Sequence, residues 1–344
     1  STLVANVIPM NSPNDGFIYS SSDSSKVSVN NSGVITANEI GEATITVKVK
    51  NTDFIDTCLV KVTPPETKVI SISLNIHNVS INNGTYVDLV VRYNPENATN
   101  KGWNIGIAES HNLVDWKKVG EMTPDKDAPY EERGFCAPGG IVRNDTLHLF
   151  YQIYGNGKKD AICHAYSTDG INFRRDASNP IFSPEGDWTC GRAIDAEVCF
   201  YKNKYYLYFA TRDADFKVQM QGVATAPEGC NFSRSCWTQA CSSSILKPTL
   251  PWEGECVEGA TITQKHGKLY MFYAGAYNNA PQQIGVAVSS DGINWQRLSD
   301  EPFLRNGKPG SWNESESGHP CIFTDNDGKT YLFFQGNNTK GKTW

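Results

Sequence analysis

Apolar and polar positions along this chain come in short bursts, and the bursts have the length and spacing of β-strands. The run Ala43-Thr44-Ile45-Thr46-Val47-Lys48-Val49-Lys50 alternates strictly, the mark of a half-buried strand. Further on the bursts turn aromatic: Leu147-His148-Leu149-Phe150-Tyr151, Tyr205-Tyr206-Leu207-Tyr208-Phe209, Leu269-Tyr270-Met271-Phe272-Tyr273 and Tyr331-Leu332-Phe333-Phe334. Turn residues rich in Asn, Asp and Gly precede each one, so each reads as the second arm of a hairpin.

The bursts belong to a repeat. Four segments end alike: Glu109-Ser110-His111-Asn112-Leu113-Val114-Asp115-Trp116, Ser167-Thr168-Asp169-Gly170-Ile171-Asn172-Phe173, Thr225-Ala226-Pro227-Glu228-Gly229-Cys230-Asn231-Phe232 and Ser289-Ser290-Asp291-Gly292-Ile293-Asn294-Trp295. Their closing aromatics stand 57, 59 and 63 positions apart. Each unit predicts four short antiparallel strands, which cannot bury both faces alone. Stacked radially, such units make a β-propeller. It has five blades if Asn83 to Tyr93 supplies one, four if not. A sandwich with accidental internal similarity is the competing arrangement.

Asp195 and Glu258 each open the first strand of a repeat, ahead of Ala196-Glu197-Val198-Cys199-Phe200 and Gly259-Ala260-Thr261-Ile262. In a radial arrangement equivalent strand starts converge on one axis. A pair of acids there is what glycoside hydrolysis uses.

Residues 1–64 differ in texture, with few aromatics and many Ser, Asn, Thr and Val. Ser21-Ser22-Asp23, Ser32-Gly33-Val34-Ile35-Thr36-Ala37 and Gly41-Glu42-Ala43-Thr44-Ile45-Thr46-Val47 resemble the group 2 bacterial Ig-like domain. That resemblance implies a small β-sandwich spacer of secreted, periplasmic or cell-surface proteins. Pro64-Pro65 reads as a linker. Residues 65–102 fit either the opening of a second Ig-like domain or a first propeller blade, and 103–344 form the propeller.

Composition narrows the partners. A net charge of −6 argues against nucleic acid, and no stretch is apolar enough to span a bilayer. The chain opens on a polar, strand-like segment rather than a leader, so a mature or trimmed form is expected. The ten cysteines contain no Cys-x-x-Cys pair, which argues against structural zinc. Cys230, Cys236 and Cys241 lie close enough in sequence for a disulfide.

From Trp103 onward the chain resembles glycoside hydrolase family 43 and its five-bladed relatives. Ser110-His111-Asn112-Leu113-Val114-Asp115-Trp116 is similar to the family's Ser-x-Asp-Leu-x-x-Trp. Cys136-Ala137-Pro138-Gly139 resembles Trp-Ala-Pro-Asp, Ile194-Asp195-Ala196 resembles Ile-Asp-Pro, and Glu258-Gly259-Ala260 resembles Glu-Gly-Pro. Ser317-Gly318-His319-Pro320 looks like a last-blade Ser-Gly-His. The resemblance implies that Glu258 is the general acid, that Asp195 tunes its pKa, and that hydrolysis inverts the anomeric centre. It also implies that His319 stands near a central divalent cation such as calcium, or the cation's water shell; no cofactor is required for the chemistry. The family's general base, an Asp usually followed by Pro, has no counterpart in Asn75-Ile76-His77-Asn78. Glu131, Glu132, Glu197 and Glu316 are the available stand-ins. Trp188, Trp252, Trp312 and Tyr277 are expected to stack on sugar faces, with core burial as the alternative. Arg192 is expected to pair with a carboxylate or bind a sugar hydroxyl. Three functions therefore compete: a monomeric hydrolase of plant or algal polysaccharide, with furanosides or xylosides favoured, a noncatalytic carbohydrate-binding propeller on an Ig-like spacer, and a structural surface protein with no glycan site.

Overall fold

A computed structural model describes residues 5, 16–63, 71–74, 91–94 and 104–338; among these the fold is all-β, with short 3-10 turns and no α-helix. The chain divides into two compact units, Ser1–Lys101 and Gly102–Trp344.

The first unit contains β1 (Phe17–Ser21), β2 (Val27–Val29), β3 (Ile35–Ala37), β4 (Gly41–Val49) and β5 (Ile55–Val62). β1 and β5 pair antiparallel with the two edges of β4, and β2 pairs with β3 in a second small sheet. The alternation along β4 decides its faces. Ala43 and Ile45 are buried against Val27, while Thr44 and Thr46 between them are half-buried. Two further strands, β6 (Ser71–Leu74) and β7 (Val91–Asn94), pair antiparallel with each other in the same unit. Positions 64–65 and 75–78, the linker and the place of the absent base, lie outside the described residues.

The second unit begins with the pair β8 (Ile105–Glu109) and β9 (Lys117–Met122). Three four-stranded antiparallel sheets follow, each a simple meander. The first is β10 (Phe135–Arg143), β11 (Thr146–Ile153), β12 (Ile162–Ser167) and β13 (Arg174–Arg175). The second is β14 (Ile194–Tyr201), β15 (Lys204–Arg212), β16 (Gln219–Pro227) and β17 (Thr238–Gln239). The third is β18 (Val257–Lys265), β19 (Lys268–Gly275), β20 (Gln283–Ser289) and β21 (Gln296–Arg297). The pair β22 (Glu316–Thr324) and β23 (Thr330–Asn337) comes last. First strands touch first strands: β10 lies on β14, β14 on β18, β18 on β22. They are thus the inner strands, and their starts sit side by side. Trp116, just ahead of β9, meets Phe333 of β23 edge-on at 6.2 Å, so the unit's first and last pairs are in contact.

Aromatic side chains fill the wedges between sheets. Phe150, Leu207, Phe209 and Phe232 pack between the first and second sheets; Tyr208, Leu269, Met271 and Tyr273 pack between the second and third. The repeat endings are Asx turns. Asp169 Oδ1 accepts from the backbone N–H groups of Ile171 and Asn172 at 2.8 and 2.7 Å, and Asp291 does the same for Ile293 and Asn294 at 2.9 and 2.8 Å. The second turn locks onto the sheet before it: the Tyr208 hydroxyl donates to Gly292 O at 2.9 Å. Only glycine fits at 292, where φ is +81° and a Cβ would stand 2.6 Å from the Tyr206 ring.

Two sheets share a buried clasp at matching positions. Glu131 accepts from the Tyr151 hydroxyl at 2.6 Å and from Arg175, and Glu253 accepts from the Tyr273 hydroxyl at 2.8 Å and from Arg297. Both carboxylates are wholly buried. Each arginine also donates to a backbone carbonyl, Thr123 O or Lys247 O, and so ties the outermost strand to the segment entering the sheet. All ten cysteines are free thiols, so the proximity of Cys230, Cys236 and Cys241 in sequence is not used for a disulfide. Arg175→Met should cost the second unit about 3–5 kcal/mol in urea unfolding, because it strands the Glu131 charge in the interior. Glu131→Gln, which removes that charge, should cost less. Equal losses would show that the clasp acts by packing alone.

Candidate active site

Each inner strand of the second unit starts with the same irregularity. The pairing register slips between Cys136 and Gly139, Ile194 and Glu197, Glu258 and Thr261, and Gly318 and Cys321. One residue within each slip has a positive φ: Ala137 (48°), Asp195 (52°), Gly259 (57°) and His319 (41°). Such bulges re-aim side chains next to functional sites, and left-handed backbone at non-glycine residues concentrates there. The alignment corrects the sequence reading. Asp195 is the counterpart of Gly259 and His319, and Glu258 is the counterpart of Ile194, one position earlier. The two acids are not equivalent positions, though the Asp195 charge still acts on Glu258.

Glu258 is 5% exposed. Its Oε1 accepts from Gln282 Nε2 at 2.9 Å and lies 3.7 Å from His319 Nε2; its Oε2 accepts from Gln219 Nε2. Burial pushes its pKa up to about 7, and the neighbouring negative charge of Asp195 adds to the rise. His319, the Cys256 thiol and Gln282 act the other way. A carboxyl group in this state holds a proton near neutral pH and can still release it. Asp195 is itself nearly buried; its backbone N–H donates to Gln152 Oε1 at 2.7 Å, and its Oδ2 has no hydrogen-bond partner within the chain.

Arg192 is buried and its Nε donates to Asp160 Oδ2 at 3.1 Å, so it does pair with a carboxylate, though not with the acid pair. It reaches Glu258 only through Gln219, whose Oε1 accepts from Arg192 Nη1 at 3.3 Å. The Tyr277 hydroxyl donates to Lys217 O at 3.2 Å and the ring faces Arg212 at 5.4 Å. Burial lifts its pKa to about 12; the Arg212 charge opposes the rise, and Cys256 and Glu258 add to it.

The tryptophans pack on glycines of their own sheets. Trp188 crosses Gly222, Trp252 covers Gly275 and Gly285, and Trp312 covers Gly336, each at a distance a Cβ would obstruct. Trp252 stacks on Tyr273 at 6.0 Å, and Trp312 lies tilted against Phe334 at 5.5 Å. These contacts commit one face of each indole to its own sheet. Trp312 keeps 53% of its surface exposed.

The stand-ins for the base are occupied elsewhere. Glu131 is in the clasp. Glu316 is fully buried and accepts from Gln335, Asn278 and the backbone N–H of Asn279. Glu197 Oε1 accepts from Thr261 Oγ1 at 3.0 Å and Ile262 N at 2.9 Å, joining β14 to β18, and burial raises its pKa to about 7. Glu132 is exposed on the loop before β10. His319 belongs to β22, the first strand of the last pair. Its Nε2 faces Asn278 Oδ1 at 3.5 Å, and among the described residues no three His, Cys, Asp or Glu side chains gather around one point. Calcium takes six to eight oxygen ligands.

A family model, "Glycosyl hydrolases family 43", matches residues 91–344. The chain belongs to this family. A second model, "Bacterial Ig-like domain (group 2)", matches residues 1–60. A β-xylosidase of Xylanibacter ruminicola is 32% identical over 85 residues, which is 25% of this chain and 22% of that protein. A xylosidase/arabinosidase of Bacteroides ovatus is 22% identical over 206 residues, 60% of this chain and 46% of that protein. The chain thus spans less than half the length of these curated relatives. Among solved structures, an endo-1,4-β-xylanase from Bacteroides thetaiotaomicron superposes with a TM-score of 0.55 at 24% identity, covering 69% of this chain and 77% of that one. A thermostable family-43 glycoside hydrolase gives 0.53 at 22%, covering 68% and 77%. These likenesses establish the fold of the family for the second unit.

Gln219, Gln282, Gln152, Asp160 and Arg212 escaped the sequence reading. They come from three different strands and two connecting segments, and no local motif joins them. The Glu258 titration is directly testable by following its carboxyl carbon by NMR. Asp195→Asn removes the nearby negative charge, so the midpoint should fall from about 7, while burial keeps it above that of an ordinary glutamate. An unchanged or higher midpoint would sink the coupling of the two acids.

Proposed function

We propose that this chain is an inverting glycoside hydrolase in which Glu258 is the general acid and Asp195 holds that acid protonated. The observation that carries the reading is the buried Glu258 carboxyl, lifted toward neutrality by burial and by the Asp195 charge. In the bond-breaking step Glu258 gives its proton to the departing glycosidic oxygen, water attacks the opposite face of the sugar, and the proton that this water sheds passes to solvent, from which Glu258 is recharged. Gln282 and Gln219 then stabilise the carboxylate that remains. Tyr277 and the exposed part of Trp312 offer apolar faces for a sugar ring. The substrate class is a plant or algal poly- or oligosaccharide. Xylosides and arabinofuranosides are favoured by the names of the relatives in Xylanibacter ruminicola and Bacteroides ovatus. In this reading β8 and β9 belong to a first blade, which makes the propeller five-bladed. The Ig-like unit is a spacer on a secreted or surface-displayed monomer.

The second reading, a noncatalytic sugar-binding propeller, rests on one observation: no acid stands at 75–78. Glu258→Gln separates the two. It keeps size but cannot donate a proton, so turnover on a substrate with a poor leaving group should fall about 10²–10⁴-fold. An activated aryl glycoside should lose less. Equal losses on both would show that Glu258 is not the acid. Sugar binding by the wild type without turnover on a broad glycoside panel would establish the binding reading.

A further inference from the structure

We propose that Gln219 is the positioning residue of Glu258: its amide is clamped by two guanidinium groups so that its N–H faces the acid and governs how tightly the acid holds its proton. The inference deepens the reading of Glu258 as proton donor, but its geometry stands apart from any substrate.

Gln219 heads β16 and is 1% exposed. Its Oε1 accepts from Arg192 Nη1 at 3.3 Å and from Arg212 Nε at 3.1 Å. A guanidinium only donates, so the amide oxygen must face the arginines, and Nε2 is left for Glu258 Oε2. Both arginines are held from behind. Arg192 is paired with Asp160, and Arg212 lies against the rings of Phe216 at 4.5 Å and Tyr277 at 5.4 Å. The Gln219 backbone N–H donates to Glu255 O at 2.9 Å, which ties β16 to the segment leading into Glu258. The second donor is less constrained. Gln282 Nε2 is shared between Glu258 Oε1 and Ala276 O, each at 2.9 Å, and its own Oε1 has no partner within the chain.

The charged and titratable groups around Glu258 are therefore Asp195 from β14, His319 from β22, Cys256 ahead of β18, Tyr277 after β19, and Arg212 and the Arg192–Asp160 pair behind Gln219. Of these contacts, the Gln219 amide is the one that two cations polarise toward the carboxylate. A charge-assisted donor favours the ionised form. Losing it should let Glu258 keep its proton to higher pH.

The test is the NMR titration of the Glu258 carboxyl carbon in the full chain, assigned with Glu258→Gln. Gln219→Met keeps length and loses the donor; the midpoint should rise by about one unit, a tenfold gain in proton affinity. Gln221→Met is the control. Gln221 lies two residues along the same strand, fully buried, with neither amide atom partnered within the chain, and its loss should leave the midpoint in place. Arg212→Lys keeps the charge but loses the Nε donor to Gln219, and should give a smaller rise. No change in Gln219→Met, or an equal rise in Gln221→Met, overturns the inference. If Gln219→Met fails to fold, an unchanged midpoint in Arg212→Lys overturns it. On a poor leaving group, the alkaline limb of kcat/KM should move up with the titration, and kcat should fall rather than KM rise. Absence of wild-type turnover would count against the hydrolase reading alone, since the titration judges Gln219 without substrate.

Discussion

Each inner strand of the second unit gains a residue at its head and passes it through a left-handed backbone conformation. The arrangement at the mouth of the unit follows from that insertion. A plain strand would send Asp195 and Glu258 to opposite sides of their sheets, since alternate residues face opposite ways and the two acids are one position out of step. With the insertion, the residue at the positive φ leaves the alternation, and an aspartate in one sheet can meet a glutamate in the next. The same insertion sets His319 against Gly259, where a Cβ would stand 3.1 Å from the imidazole. It also leaves Gly139 backed directly onto Ala196 O, so close that a Cβ there would stand 2.1 Å away. An aspartate like that of the related motif could not occupy position 139 without moving the neighbouring strand.

Burying a carboxyl group poses one problem, and this chain answers it in two ways. At Glu131 and Glu253 an arginine and a tyrosine supply opposite charge and donors, and each acid serves the architecture. At Glu258 no arginine touches the carboxyl. The guanidiniums are held one step back, behind an amide, and an acid faces it instead. Full pairing would hold the group ionised, and full isolation would hold it neutral. Interposing Gln219 gives an intermediate state in which the proton can come and go.

Much of this architecture could be read from the sequence where the cause is local. The Asx turns at Asp169 and Asp291 are dictated by residues within five positions, so the repeat was visible, and the aromatic bursts became β11, β15, β19 and β23. The alternation at Ala43 to Lys50 became β4. The register slips could not be read, because they depend on how close one sheet comes to the next. The same holds for the tryptophans. Trp252 has two readings in the sequence, a sugar platform or a core residue; Gly285 lies inside β20 beneath it and Gly275 closes β19, and glycine inside a strand signals close approach of another group. The amide network around Glu258 left no trace, since Gln152, Gln219 and Gln282 are far apart in sequence and unremarkable in composition.

The outermost strands, β13, β17 and β21, are only two residues long. A sheet that ends so abruptly offers a neighbouring molecule almost no backbone to pair with. In two of the three sheets an arginine on that last strand is drawn inward by a buried glutamate, which keeps the rim from peeling open. The rim thus acts as a guard against fibril growth. It lets many copies stand close together without their sheets fusing.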